Sequence, residues 1–245
     1  MTLRRIVAWL DRTLRPGDFD DVSANGVQIA APGGGVEGDV RLVAFGVDAS
    51  PSFLEAAAAR GAGLCVVHHG LSWGGGIRRL DGWIYRAVKI AMDAGMALYA
   101  SHLPLDAHPR LGNNAGLARA LRLRGTRPAF SWRGNVIGLV GTASATGVFR
   151  AGTARVALEK GMKVGVCSGG AGEFAEEAGR LGCGIFVTGE AVWADRVAAR
   201  ASGVRLVCGG HYETETLGVE ALAREMEKSL RVRTAFIREE FPPDA

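Results

Sequence analysis

Two parts of this sequence repeat the same order of apolar runs and amphipathic segments, and this repetition constrains the fold most strongly. The matching runs are 42–47, 65–67 and 97–101 in the first part, and 163–167, 184–188 and 205–208 in the second. Helical spacing of apolar residues separates these runs. The order strand, helix, strand indicates a largely parallel sheet covered by helices, because parallel neighbours need a crossover connection.

We therefore predict an α/β protein made of two pseudo-repeated strand-helix halves with largely parallel sheets. The halves span about 1–125 and 160–245, are joined by a short connector and form one domain over residues 1–245. Sites in such sheets gather outside the carboxyl ends of the strands. We expect the two sets of strand ends to face a shared crevice that holds the functional site, between the halves.

The residues at these strand ends include histidines and carboxylates, which can bind metal ions or transfer protons. In the first part, a strand ends in His68-His69-Gly70, and the next is followed by His102 and Asp106. In the second part, the corresponding positions hold Gly189-Glu190 and then His211 and Glu215, so that a histidine twice precedes a carboxylate by four residues. A pair of adjacent histidines can be a polar cap on a core strand. Neutral imidazole is, however, the commonest metal ligand, and the pair favours a metal site.

Successive side chains of a strand point to opposite faces, so we expect His68 and His69 to converge only if the strand has already ended. The proposed ligands are His68, His69, Asp106, His211 and Glu215. Five nitrogen and oxygen donors exceed the need of one tetrahedral ion, which indicates two divalent ions about 3.5 to 4 Å apart. Zinc, iron and manganese all suit such donors. A helix N-terminus would explain Glu215 without a metal, but it leaves His211 without a role.

Composition excludes several classes of protein. With 48% hydrophobic residues, 22% charged residues and a net charge of +4, the chain is typical of a soluble globular protein. Its basic residues are scattered, which argues against a nucleic-acid partner. No apolar run approaches membrane-spanning length, so we expect no membrane partner. The four cysteines form no CxxC pair, which indicates a reducing, cytoplasmic location.

Local patterns give further expectations. Apolar residues from Leu3 to Leu14 predict a helix that ends at Pro16-Gly17. Residues 25–28 predict a turn, residues 135–142 a strand, and residues 147–161 a connector with one short helix.

Several motifs together resemble the GTP cyclohydrolase I type 2 homologue family, also called the Nif-three-like dinuclear metal centre hexamers. The motifs are Val67 to Gly75, Ser101 to Asp106, Thr188-Gly189-Glu190 and Gly210 to Glu215. The resemblance implies a two-metal centre held by the five proposed ligands, with Asp106 and Glu215 as bridging or shared carboxylates. It also implies a toroidal homohexamer. The connector at 148–163 is too short for the extra domain of many members, so this is the compact form.

Other residues are interpreted with two alternatives each. Glu190 is either a proton-transfer group or a helix-capping acid, and His102 orients a ligand in preference to being one. Members of the family often have a histidine in the helix after the TGE motif, where this chain has Trp193, Ala194 and Asp195. The turn at 168–172 is interpreted as tight packing in preference to a phosphate site.

Two classes of function remain. One is a metal-dependent hydrolase that acts on a nucleotide or related heterocycle, as the family name suggests, with Glu190 as catalytic residue and a small-molecule substrate. The other is a non-catalytic metal-dependent binding or metal-handling protein. A position open to water on the metals would favour the first class, and readily exchanging ions without an accessible nucleophile would favour the second.

Overall fold

Residues 1–240 are described by the computed structural model, and residues 241–245, the end of the predicted second half, lie outside this range. The first elements are α1 Leu3–Leu14, β1 Gly26–Ile29, β2 Leu42–Asp48, α2 Pro51–Ala59, β3 Leu64–His69, α3 Gly82–Asp93, β4 Ala97–Ala100, α4 Leu103–Asp106 and α5 Asn113–Ala120. The later elements are β5 Leu123–Trp132, β6 Asn135–Ala143, β7 Gly147–Ala151, β8 Ala154–Leu158, β9 Lys163–Val166, α6 Ala175–Arg180, β10 Ile185–Thr188, α7 Trp193–Ala201, β11 Arg205–Cys208, α8 His211–Leu230 and β12 Arg233–Phe236.

The chain divides into two compact units. Unit 1 comprises residues 1–104 together with 219–240 of the described chain, and unit 2 comprises residues 105–218. These bounds differ from the predicted halves because β12 returns to pair with β2. The prediction that the chain folds as one domain stays a prediction.

Unit 1 contains a five-stranded sheet in the order β1-β4-β3-β2-β12. Strands β2, β3, β4 and β12 are parallel, and β1 is an antiparallel edge strand. The central strands are almost continuously apolar because both faces are covered. Ser50 begins α2 by accepting a hydrogen bond from the Phe53 amide at 3.0 Å, with Pro51 as the first helical residue.

Unit 2 contains a second five-stranded sheet in the order β11-β10-β9-β6-β5, and the β7-β8 hairpin. Strands β9, β10 and β11 are parallel, while β6 and β5 are antiparallel additions. The three consecutive parallel strands have the same order as β2, β3 and β4 in unit 1. The mixed α/β fold and the largely parallel sheets are confirmed.

Two local predictions were wrong. Residues 147–161 contain no helix but the antiparallel hairpin of β7 and β8, in which Ala151, Val156 and Leu158 face the core of unit 2. The turn predicted at 25–28 is mostly strand β1, because pairing with β4 overrides the turn preference of Asn25-Gly26. The predicted helix at 3–14 and strand at 135–142 are confirmed.

In residues 1–240, no helix combines the length and the apolar character that crossing a bilayer requires.

Candidate metal centre

The histidine pair lies at the carboxyl end of β3, in the middle of the unit 1 sheet. The expectation that the strand ends before the rings converge was wrong, since β3 includes both residues and His69 pairs in register with Asp48 of β2. The two ring centroids are nevertheless 4.6 Å apart. His69 is the last residue of the strand, and its hydrogen bond to the neighbouring strand holds the ring at this end. His68 is fully buried and His69 is half-buried.

Both imidazoles are fixed through the same ring nitrogen. His68 Nδ1 donates to the carbonyl oxygen of Ser101 at 2.8 Å, and His69 Nδ1 donates to Asp48 Oδ1 at 2.8 Å. A carbonyl oxygen can only accept, so His68 carries its proton on Nδ1. The lone pair for a metal is therefore on Nε2 of His68. The carboxylate of Asp48 selects the same tautomer for His69.

The loop that follows the pair is held by Gln28. Its Oε1 accepts hydrogen bonds from the amides of Leu71 at 2.6 Å and Ser72 at 3.2 Å. Gly70 makes room for this amide, because a Cβ there would collide with the end of Gln28. Trp73 Nε1 donates to the Gly70 carbonyl at 2.8 Å. The chain therefore leaves β3 in one fixed direction, and Gln28 has a structural role that the sequence alone did not assign.

His102 follows β4 and is held by Asp21. Its Nδ1 donates to Asp21 Oδ1 at 2.9 Å, and its backbone amide donates to Asn25 Oδ1 at 2.8 Å. Asp21 also accepts from Asn25 Nδ2 at 2.9 Å and from the Leu103 amide at 3.0 Å. Burial raises the pKa of Asp21, but the hydrogen bonds and the charge of His102 outweigh it and lower the pKa to about 2. Asp21 is thus a charged, fixed acceptor.

Asp106 belongs to unit 2, although α4 connects it to His102. Its Oδ1 accepts from Ser168 Oγ at 2.9 Å and from Asn113 Nδ2 at 2.8 Å, and the residue is buried. Asn113 in turn accepts from the Gly218 amide at 2.7 Å. Asn114 accepts from the Ser168 amide at 2.7 Å. Neutral donors therefore hold the Asp106 carboxylate in place.

The beginning of α8 places His211 and Glu215 one turn apart. His211 Nε2 lies 3.3 Å from Glu215 Oε1, and His211 Nδ1 lies 2.9 Å from Glu190 Oε1. The hydrogen bond with Glu215 is the largest cause that raises the pKa of His211, and Glu190 raises it further. Burial lowers this pKa, but the two carboxylates outweigh burial and the pKa is about 9. A cationic group is thus favoured on the Glu215 side of the ring, and a divalent ion can replace the proton there.

The turn that follows β9 packs against these residues. A Cβ on Gly169, which has a φ of +66°, would collide with the Glu215 carboxylate. The Gly169 carbonyl accepts from the amides of Gly189 and Glu190 at 2.9 and 3.0 Å. The neighbouring thiol of Cys167 has a pKa well above its usual value, first because it is buried and then because Asp106 and Glu215 lie near. These contacts support the packing interpretation of the turn at 168–172.

The donor set fits divalent metal ions. The described residues include groups of three histidine or carboxylate side chains that can hold an ion. His68, His69 and His102 form one such group, and their ligand atoms lie within 4.8 Å of one another. Within unit 2, the structure brings His211 together with Glu190 and Glu215. That the five proposed ligands share one centre stays a prediction, as do the number and identity of the ions.

Sequence analysis missed the residues that position these donors. Asp48 could have been found from the sequence, because it follows the apolar run of β2 at the strand end where functional residues are expected. Asp21 and Ser168 had no such signal, because the donors that they position, His102 and Asp106, are 81 and 62 residues away.

Comparison with known proteins identifies the family. Residues 1–243 match the family model described as Duf34/NIF3 (NGG1p interacting factor 3). The chain belongs to the Duf34/NIF3 family. The resemblance inferred from the motifs is thereby confirmed.

Curated Duf34/NIF3 relatives carry the name "GTP cyclohydrolase 1 type 2 homolog". One from Deinococcus radiodurans is 39% identical over 246 residues, which covers 95% of this chain and 91% of the relative. One from Pyrococcus horikoshii is 35% identical and covers 95% and 96%, respectively. Among solved structures, protein ybgI has a TM-score of 0.84 at 27% identity, covering 99% of this chain and 100% of its own. A structure from Thermus thermophilus, TTHA1606, has a TM-score of 0.76 at 29% identity, covering 98% and 99%.

Proposed function

We propose that the chain is a dinuclear-metal protein in which His68, His69, Asp106, His211 and Glu215 bind two divalent ions, and that it hydrolyses a nucleotide or related heterocycle. The observation that carries the metal assignment is the fixation of the histidines. Each of His68, His69 and His211 has Nδ1 bonded to an oxygen, so that Nε2 is the ring nitrogen that would donate to a metal. Metal-binding histidines are commonly held in this way. Zinc, iron and manganese are all suitable ions.

The name of the curated relatives suggests the substrate class, and the chain's own residues suggest how a reaction would be supported. Two divalent ions, when bound, lower the pKa of water and polarise a substrate group. Glu190 is proposed to move the proton. Its side chain is 64% exposed, and one of its oxygens accepts from His211. The other oxygen is the position for proton transfer. Asp106 and Glu215 stay as fixed carboxylates at the ions.

The first test measures metal content and turnover on the same samples. Wild-type protein loaded separately with zinc, manganese or iron should bind two ions per chain and hydrolyse at least one member of a panel of nucleotides, GTP included. His211→Ala and Glu215→Ala should lower the metal content and leave the fold largely intact, whereas Glu220→Gln, on the same helix, should change neither. Unchanged stoichiometry in both ligand variants would refute the assignment.

The variant Glu190→Gln tests whether Glu190 is needed for turnover without being needed to bind the metal ions. It should retain both ions and lose turnover by about 10²-fold or more, the usual size of a proton-transfer contribution. Because Glu190 also orients His211, the metal affinity of this variant must be measured beside its activity. Full activity would remove the proton-transfer role. A fully metallated wild type that hydrolyses none of the panel would favour the alternative of a metal-dependent binding or metal-handling protein.

We also propose a toroidal homohexamer in the cytoplasm, on the strength of the family resemblance. Two tryptophans near the glycine-rich loop are compatible with an interface, although core packing explains them as well. The indole of Trp73 donates to Gly70 of its own chain, whereas Trp83 is 54% exposed. Light scattering at micromolar concentration should give six times the mass of 25.7 kDa. A monomer mass would refute the assembly.

A further inference from the structure

The hairpin of β7 and β8 in unit 2 carries two arginines side by side. Arg150 of β7 and Arg155 of β8 lie directly opposite each other across the two strands. Both are exposed, whereas the next residues along the chain, Ala151 and Val156, are buried in the core of unit 2. Successive side chains of a strand point to opposite faces, so both arginines extend from the solvent face of the hairpin. Residues opposite each other have Cβ atoms about 4.5 to 5.5 Å apart.

The two charges repel each other. Like charges directly opposite on neighbouring strands are destabilising. Within residues 1–240, no carboxylate forms an ion pair with either arginine, and this includes Glu213, which packs against Gly152 in the turn. Arg150 makes only a long hydrogen bond there, to the Gly152 carbonyl at 3.4 Å. An anion from outside the chain would relieve this repulsion.

The turn of the hairpin is fixed against the segment that follows β11. Thr153 donates to the Gly209 carbonyl through its amide at 2.8 Å and through its hydroxyl at 3.1 Å. Gly152 has a φ of +57°, and a Cβ there would collide with the same carbonyl oxygen. Gly209 lies two residues before His211, the first residue of α8. The arginine pair is therefore held close to the beginning of the helix that carries His211.

Positive charge is concentrated in the part of the sequence that contains this hairpin. Residues 107–158 contain eight arginines and no aspartate or glutamate, although the whole chain has 29 basic and 25 acidic side chains. Charged residues on exposed strands can simply prevent edge-to-edge association. That role does not require two arginines opposite each other beside a fixed turn. A region of one charge sign attracts ligands of the opposite sign.

We propose that Arg150 and Arg155 bind the phosphate groups of a small molecule, with one phosphate held between the two guanidinium groups. The planar guanidinium presents paired N–H donors that match two phosphate oxygens. The inference rests on the proposed function, which identifies this molecule as the nucleotide substrate. It adds that the phosphates lie on the β7-β8 hairpin, and that a nucleotide is bound in preference to its nucleoside.

The first experiment measures binding of inorganic triphosphate to the full, metal-free chain by calorimetry. Arg150→Gln and Arg155→Gln should each weaken binding about 10- to 100-fold, the usual effect of losing hydrogen bonds to a charged group. Arg150→Lys should lose less, because an ammonium group keeps the charge without the paired donors. Arg124→Gln is the matched control, since Arg124 is an exposed arginine on an antiparallel strand of the same unit but lies opposite Thr142. It should change the affinity by less than about twofold.

Urea unfolding without triphosphate separates a ligand-binding role from a structural one. Removal of one of two opposed charges should leave the unfolding midpoint unchanged or raise it. The same measurement shows that each variant folds. A lower midpoint in both glutamine variants would mean that the arginines support the hairpin, and it would overturn the proposal.

Kinetics of the metal-loaded protein connect the pair to the substrate. For a nucleotide that the wild type hydrolyses, Arg150→Gln and Arg155→Gln should raise KM about 10-fold or more and leave kcat within about twofold, because the phosphates are held equally in the ground and transition states. The corresponding nucleoside should bind equally well to the wild type and to both variants.

The outcomes separate the two proposals. A wild type that binds triphosphate through the two arginines, and yet hydrolyses no nucleotide, would refute the proposed hydrolysis and support the phosphate site. A wild type that binds no triphosphate, or binds it as tightly as both glutamine variants do, would overturn this inference and leave the proposed metal centre and hydrolysis unaffected.

Discussion

The three consecutive parallel strands of unit 1 and those of unit 2 have the same order but end in different chemistry. In unit 1, the ends carry three imidazoles, His68, His69 and His102, each bonded to an oxygen through Nδ1. In unit 2, the donors are mainly carboxylates, with His211 as the single imidazole among them. The two units thus share the same order of parallel strands, but unit 1 carries mainly imidazole donors and unit 2 mainly carboxylate donors.

The supports of the donors differ in the same way. Oxygen acceptors hold the imidazoles of unit 1, whereas Ser168 and Asn113, both neutral donors, hold the Asp106 carboxylate in unit 2. Each arrangement matches the donor that it supports, because a histidine needs a partner for its N–H and a carboxylate needs donors. The repeated strands therefore determine the positions at which donor side chains occur. The local hydrogen-bond partners determine whether an imidazole or a carboxylate is held in place at each position.

The largest expected change in stability comes from replacing one of two asparagines, each of which links a carboxylate to a backbone amide in its own unit. Asn113 joins Asp106 to the Gly218 amide and is fully buried, and Asn25 joins Asp21 to the His102 amide and is half-buried. Asn113→Ala leaves buried groups without these bonds and should lower the free energy of unfolding by about 2–5 kcal/mol. Asn25→Ala should cost about 1 kcal/mol, because water can replace its bonds.

Chemical denaturation of the metal-free protein measures both. Asn135→Ala is the control, since its amide donates to the carbonyls of Trp132 and Arg133 in its own turn, and it should change stability by less than about 0.5 kcal/mol. Equal losses for Asn113→Ala and Asn25→Ala would break the comparison between a buried and a half-buried support.

Much of the framework was predictable from sequence. The runs that became β2, β3 and β4 match those that became β9, β10 and β11, and apolar periodicity with crossover logic was sufficient to find them. Residues next to a strand end, such as His68 and Glu190, were found because sheets place sites there. The hairpin of β7 and β8 and the edge strand β1 were not found, since their pairing with distant strands or with each other outweighs local preference.

The supports of the site could not be predicted for a related reason. Asp21 bonds to a residue 81 positions away, and Ser168 bonds to one 62 positions away. No spacing rule links such residues, because only the folded backbone brings them together. Sequence therefore predicts the donors better than the groups that orient them.

The smallest expected effect concerns the glycines that follow corresponding strands, Gly70 after β3 and Gly189 after β10. Neither has a positive φ, so contact alone sets the cost of a methyl group. At Gly189, a Cβ would lie 2.6 Å from the Gly169 carbonyl oxygen and 2.8 Å from His211 Cα, both backbone atoms. At Gly70, the three nearest atoms all belong to the end of the Gln28 side chain. Gly189→Ala should therefore cost up to about 3 kcal/mol, and Gly70→Ala about 1 kcal/mol.

A double mutant tests whether the side chain of Gln28 is the obstacle at Gly70. Gln28→Ala removes the colliding amide together with its bonds to Leu71 and Ser72. Gly70→Ala should then cost almost nothing further in that background, whereas Gly189→Ala should keep its full cost there. The coupling energy between positions 28 and 70, from urea unfolding of the four proteins, measures this directly. Additive losses would mean that backbone atoms limit both glycines, and the two strand ends would then be equally rigid.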